Sequence, residues 1–188
     1  MMKSSRGVKI VVSALILTVI GGIWIIKNAG QKPVDDSTTS QNNTGLSDRL
    51  EGADFCLRET EAINFETLSA YGLPIIVDYG ADSCIPCKQM APVLEKANKE
   101  FHGKAFVKFI NVWDFPDAAK NVPIRVIPAQ VLFNAYGKPF VPSGELANKM
   151  RFDNHFDRDT GEHIFTVHQG GLTEEQMWEI LKEMGVEK

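Results

Sequence analysis

Cysteine is scarce in this chain, with three in 188 residues, and three are too few for the disulfide-stapled scaffolds of small secreted domains. Histidine is nearly as rare, at four. A C-x-x-C is present, but a zinc site needs two more ligands, and no second C-x-x-C or H-x-x-x-H accompanies it. Basic residues do not dominate either: 20 Lys and Arg against 24 Asp and Glu leave a net charge of −4. With no Lys/Arg cluster and no aromatic–basic interleaving, a nucleic-acid partner is not expected. No repeat at solenoid or propeller spacing is visible. What remains is ordinary globular composition, 44% hydrophobic and 23% charged, in a chain long enough for one domain with a proper core plus something smaller.

The smaller part is at the N-terminus. Lys3, Arg6 and Lys9 precede Ile10 to Ile26, a run without a charged residue that Lys27 closes. Its length is about the minimum for a membrane-spanning helix, and the basic flank favours a cytoplasmic N-terminus with the rest exported. A cleaved signal peptide is the competing reading. The run is longer than a usual signal core and Lys27-Asn-Ala-Gly30 is a poor cleavage site, so an uncleaved anchor is favoured. Residues 31–50, rich in Ser, Thr, Asn and Asp, have almost nothing to bury and read as a flexible tether. The expected organisation is therefore an anchor or signal segment over 1–30, a linker over 31–50 and a folded domain over 51–188.

Within that domain, Phe55 to Arg58 suits a short first strand and Asn64 to Tyr71 a short helix. Leu73 to Tyr79 is nearly continuous apolar sequence, typical of a central strand covered on both faces. Cys84-Ile-Pro-Cys87 follows, and Ile85 to Phe101 has helical spacing with Pro92 inside it. A strand that ends in C-x-x-C and turns at once into a helix puts two thiols at a helix N-terminus, where unpaired N–H groups and the helix dipole stabilise a thiolate. The thiolate is the species that attacks disulfides. Further strands are expected over Ala105 to Trp113 and Ala129 to Phe133. An irregular stretch over Val141 to His163 then ends in a hairpin turning at Asp159-Thr160-Gly161, with Ile164 to His168 returning. A last helix opens at Thr173, which has capping-box spacing to Gln176. The order describes an α/β fold with a mixed sheet.

From Ile75-Ile-Val-Asp-Tyr79 and Cys84-Ile-Pro-Cys-Lys-Gln-Met-Ala-Pro-Val-Leu94, through Ile124-Arg-Val-Ile-Pro-Ala-Gln-Val-Leu-Phe133, to Gly170-Gly-Leu-Thr-Glu-Glu-Gln-Met177, residues 52–187 resemble the thioredoxin family. The resemblance implies the thioredoxin fold, a mixed central β-sheet flanked by helices, here with an N-terminal transmembrane helix and an enlarged hairpin region before the last helix. It implies that Cys84 is the nucleophile and Cys87 the resolving thiol, with no cofactor and no metal. Asp78 is the buried acid that serves as proton acceptor for Cys87, and Lys108 is its weaker companion. Pro128 is the cis-proline, whose preceding residue, Ile127, pairs with substrate backbone; Ile85 and Pro86 complete the substrate-facing motif. By pattern alone Asp78 could equally point to a solvated edge or pair with Lys108. Three departures stand out: Ser83 replaces the usual Trp before the first cysteine, Gly80 replaces another customary aromatic, and the dipeptide is Ile-Pro.

The implied activity is an extracytoplasmic thiol:disulfide oxidoreductase, tethered through residues 10–26 or secreted if the segment is cleaved. Ile-Pro resembles the reductive branch, so protein disulfides are the expected substrates and a membrane thiol-transfer protein the expected electron donor. An oxidase or isomerase using the same residues is the alternative. A non-catalytic binding module or copper chaperone on the same fold is another, although copper-handling relatives use a wider cysteine spacing with a distal His. Cys56 is expected on the first strand as a small buried residue. The acids Asp157 and Asp159 are explained more cheaply by turn chemistry than by a metal.

Overall fold

A computed structural model of the chain describes residues 54–187. The apolar run over 10–26 and the linker over 31–50 lie outside those residues. No helix among the described residues is long and apolar enough to cross a membrane.

The elements in chain order are β1 (Arg58–Glu59), α1 (Phe65–Ser69), β2 (Ile75–Gly80), α2 (Ile85–Glu100), β3 (Phe106–Asn111), a 3-10 turn (Pro116–Ala119), β4 (Ala129–Phe133), α3 (Gly144–Lys149), β5 (Asp153–Phe156), β6 (His163–Gln169) and α4 (Glu174–Glu183). The strands form one sheet in the order β1-β3-β2-β4-β6-β5. β1, β3 and β2 run parallel, while β4 is antiparallel to β2 and β6 to β4. Every residue of β2, β3 and β4 is buried, which is what continuous apolar runs in the middle of a two-sided sheet produce.

Alternation along these strands sorts the core into two layers. Ile76, Val107 and Leu132 meet Met90, Leu94 and Ala97 of α2 and Met177, Ile180 and Leu181 of α4 on one face. Ile75, Val77, Tyr79, Phe106, Ile110 and Val131 meet Phe55 and Leu68 on the other. The end of α2 is tied to α4 by stacking of Phe101 on Trp178, centroids 5.4 Å apart. The cap of α4 forms as the sequence predicts: Thr173 and Gln176 exchange side-chain to backbone bonds in a full capping box.

Several boundaries differ from expectation. The first strand is only Arg58–Glu59, and Cys56 precedes it, exposed rather than buried. The irregular stretch contains α3, capped by the Ser143 side chain and buried through Leu146; one buried apolar residue leaves no helical period to read. The hairpin starts earlier, at Asp153, and carries an irregularity between His155 and Phe156. Its turn is held by Asp157, whose Oδ1 accepts from the N–H groups of Asp159 and Thr160 and from the Thr160 hydroxyl. Those bonds, that from the Thr160 N–H foremost, hold the Asp157 carboxyl below its usual range, in keeping with turn chemistry.

Candidate active site

Cys84 is the N-cap of α2, with extended φ and ψ of −81° and 124°, and its Sγ accepts from the Cys87 N–H at 3.3 Å. The first helical bond runs from the Lys88 N–H to the Cys84 carbonyl. Cys84 and Cys87 are joined in a disulfide, Cα atoms 5.3 Å apart. Proline in the first turn costs no hydrogen bond, because those N–H groups have no helical partner. No acid occupies that turn, so no carboxylate of the helix itself offsets the positive end that faces the sulfurs. Cys84 is half-buried, whereas Cys87 is buried. Of the two sulfurs, Cys84 is the one an incoming disulfide reaches.

The second wall is the segment before β4. The Ile127–Pro128 peptide is cis, and the Ile127 carbonyl oxygen lies 3.8 Å from Cys84 Sγ. Ile85, Val126 and Trp113 are all exposed apolar side chains, at 71%, 54% and 60%. Ile85 lies between the cysteines and Val126 immediately before Ile127. Trp113 follows β3, whose continuation bonds back to β2 through the Val112 N–H and the Gly80 carbonyl.

Beneath the disulfide is Asp78, wholly buried on β2. Its Oδ1 accepts from Gln130 Nε2 at 2.6 Å, while Oδ2 has no partner among the described residues. Burial pushes its pKa up to about 7, partly offset by the Gln130 hydrogen bond. A Cβ placed on Gly80 would stand 3.3 Å from Asp78 Oδ2, 3.4 Å from Cys87 Sγ and 2.8 Å from Phe109 Cε2. The carboxylate and the second sulfur therefore border one small space that glycine keeps open. A cavity of about 150 Å³ reaches Cys87, lined by Leu57, Arg58, Asp82, Lys88 and Phe109 among others. Arg58 covers the Phe109 ring at 4.9 Å and pairs with Asp82.

The thioredoxin family profile matches residues 57–153, more than half of the chain. The chain belongs to the thioredoxin family. A bifunctional thioredoxin reductase/thioredoxin of Mycobacterium leprae is 30% identical over 125 residues, covering 62% of this chain and 27% of that one. Thioredoxin 1 of Chlorobaculum tepidum is 43% identical over 61 residues, 32% of this chain and 60% of that one. The chain thus spans less than two thirds of the length of these relatives. The solved structure of Fasciola hepatica thioredoxin is 19% identical with a TM-score of 0.46, covering 69% of this chain and 99% of that one.

This thioredoxin-family domain brings together Cys84, Cys87, Ile85, Pro86, Asp78, Ile127 and Pro128, and separates Lys108 from them. Lys108 lies opposite Val77, not Asp78, in the parallel register, so alternation turns it to the far face of the sheet. There it is buried, donating to the Cys56 carbonyl at 2.8 Å and forming an ion pair with Glu59. The companion of Asp78 is instead Gln130. Its signal in the sequence is an amide inside the apolar strand Ala129–Phe133, where an unpaired polar group would be costly.

Proposed function

We propose that this protein is a thiol:disulfide oxidoreductase that reduces protein disulfides through Cys84 and Cys87, on a domain tethered outside the cytoplasm by residues 10–26. The observation that carries the reading is the disulfide at the start of α2, with its half-buried sulfur beside the cis-Pro128 segment and its buried sulfur sharing a space with Asp78. Family membership supports the same chemistry.

The Cys84 thiolate attacks one sulfur of a substrate disulfide, forming a Cys84–substrate bond and releasing the other substrate sulfur as a thiolate that takes up a proton. Asp78 then accepts the proton of the Cys87 thiol. The Cys87 thiolate attacks Cys84 Sγ, the intramolecular disulfide forms, and the second substrate thiolate leaves. Two electrons pass from the dithiol to the substrate. The Ile127 backbone receives the substrate chain in the manner of an added strand, flanked by Ile85, Pro86, Val126 and Trp113. Restoring the dithiol outside the cytoplasm requires an electron donor, for which a membrane thiol-transfer protein is the fitting class. The basic flank before the apolar run supports this orientation.

The test is reduction of a disulfide-bonded protein by the full chain in detergent, with dithiothreitol as donor. Cys84→Ser is expected to abolish turnover. Cys87→Ser is expected to stop after one attack, leaving a mixed disulfide at Cys84. Undiminished turnover in Cys84→Ser would remove the assignment.

A further inference from the structure

Gln130 is wholly buried in the centre of the sheet, directly opposite Asp78 in the antiparallel register. An apolar residue would fill this position without the cost of burying an amide. The nitrogen of the amide makes every contact: Nε2 donates to Asp78 Oδ1 at 2.6 Å and to the Gly170 carbonyl at 3.1 Å, and lies 3.3 Å from Met90 Sδ, while Oε1 has no partner among the described residues. The Gly170 carbonyl only accepts, so it requires the nitrogen of the amide on its side. With that orientation fixed, Gln130 presents an N–H, never a carbonyl, to Asp78. A donor of that kind favours the carboxylate over the acid.

The same contacts join the parts of the site. The Gly170 N–H donates to the Pro128 carbonyl at 2.8 Å, so the glycine that orients the amide also braces the cis-proline segment. Met90 belongs to α2, one turn beyond the cysteines, and its Sδ also receives the Leu172 N–H at 3.5 Å. The groups facing Asp78 from the packed elements are Cys87 from α2, Phe109 from β3 and Gln130 from β4. Lys108 is on the far face, Arg58, Asp82, Lys88 and Glu95 share the lining of the neighbouring cavity with Cys87 and Phe109, and His168, opposite Gln130 on β6, bonds the Arg151 carbonyl through Nδ1. Among the described residues, Gln130 is the polar side chain bonded to the buried acid.

We propose that Gln130 is a positioning residue of this site: oriented by the Gly170 carbonyl, its amide holds the Asp78 carboxylate in the form that can take the Cys87 proton. The inference rests on the proposed oxidoreductase reading and adds the residue that makes its buried acid usable.

The test compares Gln130→Met, which keeps an unbranched side chain without the amide, with the wild-type full chain in detergent. The Asp78 carboxyl is titrated by carbon-13 NMR in the oxidised protein, and the rate of disulfide reduction is measured from pH 5 to pH 9. The titration midpoint is expected to rise by about one pH unit, roughly the worth of one strong hydrogen bond to a carboxylate. The acid limb of the rate profile should move by the same amount, with the two rates converging above pH 8. An unmoved midpoint with a rate lowered equally at every pH would overturn the proposal, since that is what a packing role alone would do.

Should Gln130→Met fail to fold, Gln130→Glu provides the second test. Two carboxyls in contact should titrate in two separated steps, and a single step at the wild-type midpoint would count against the inference. The titration needs no turnover. A wild-type chain that reduces no disulfide would therefore count against the proposed function while leaving the Gln130–Asp78 linkage to be judged by its own midpoint.

Discussion

At the scale of single residues, the site is governed by what burial does to one carboxylate. Asp78 has its pKa raised from 3.8 to about 7, chiefly by desolvation. In the unfolded chain it loses its proton near its ordinary value, so between roughly pH 4 and pH 7 the folded state binds more protons than the unfolded one. Stability therefore falls as pH rises through that window and levels off above it. Asp78→Asn should be more stable than the wild type at pH 8, by on the order of 2–4 kcal/mol. The gain should shrink to nothing below about pH 4, where both states of the wild type carry the proton. Urea unfolding at the two pH values measures this; equal stability of the two proteins at pH 8 would contradict the burial cost. Catalysis should move the other way, because an amide accepts no proton. The same variant is expected to release substrate from the mixed disulfide more slowly at neutral pH.

At the scale of elements, β2 and α2 do most of the positioning. β2 delivers Asp78 and Gly80, α2 and its N-cap deliver both sulfurs, and β4 delivers Gln130 at the facing register, with Pro128 just before its start. Gly80 is where these meet: a methyl group there would come within 2.8 Å of Phe109 Cε2. Gly80→Ala should thus cost about 1–3 kcal/mol of stability and narrow the space between Asp78 and Cys87, with chemical denaturation reading the first effect. Thr173→Ala, which breaks the α4 capping box, should cost about 1 kcal/mol and leave the redox site untouched.

These elements also mark what sequence reading reaches. β2, α2, β4 and the start of α4 carry strong local signals: a continuous apolar run, a C-x-x-C before helical spacing, and a capping pair. α3 and the early start of β5 carry almost none, since Leu146 is a lone buried anchor and the β5 residues alternate only partly buried with exposed. The cysteines are legible from their place between strand and helix, whereas the roles of Asp78 and Pro128 are legible only through the family resemblance. The Lys108 expectation failed because the facing of a strand depends on a one-residue register that composition does not encode. Gln130 is hidden in the sequence for the same reason. Its meaning depends on the pairing of β4 with β2, and nothing local to Ala129–Phe133 announces which residue it will face.

At the scale of the whole molecule, a chain of net charge −4 carries a basic-flanked apolar run and a polar stretch ahead of its thioredoxin-family domain. The proposed tether predicts that the full chain sediments with membranes. It also predicts that protease added to intact cells stripped of outer barriers digests the domain; protection of the domain in that assay would place it in the cytoplasm and remove the need for a transmembrane electron donor. The central claim, however, is that Cys84 and Cys87 form a working two-electron couple. The direct measurement is the reduction potential of the pair in the full chain, equilibrated in dithiothreitol or glutathione buffers and read by alkylation and mass. A reductase predicts a value near thioredoxin's roughly −270 mV. A value near about −120 mV would make the protein a disulfide donor, and a pair that shows no reversible couple would contradict the account at its foundation.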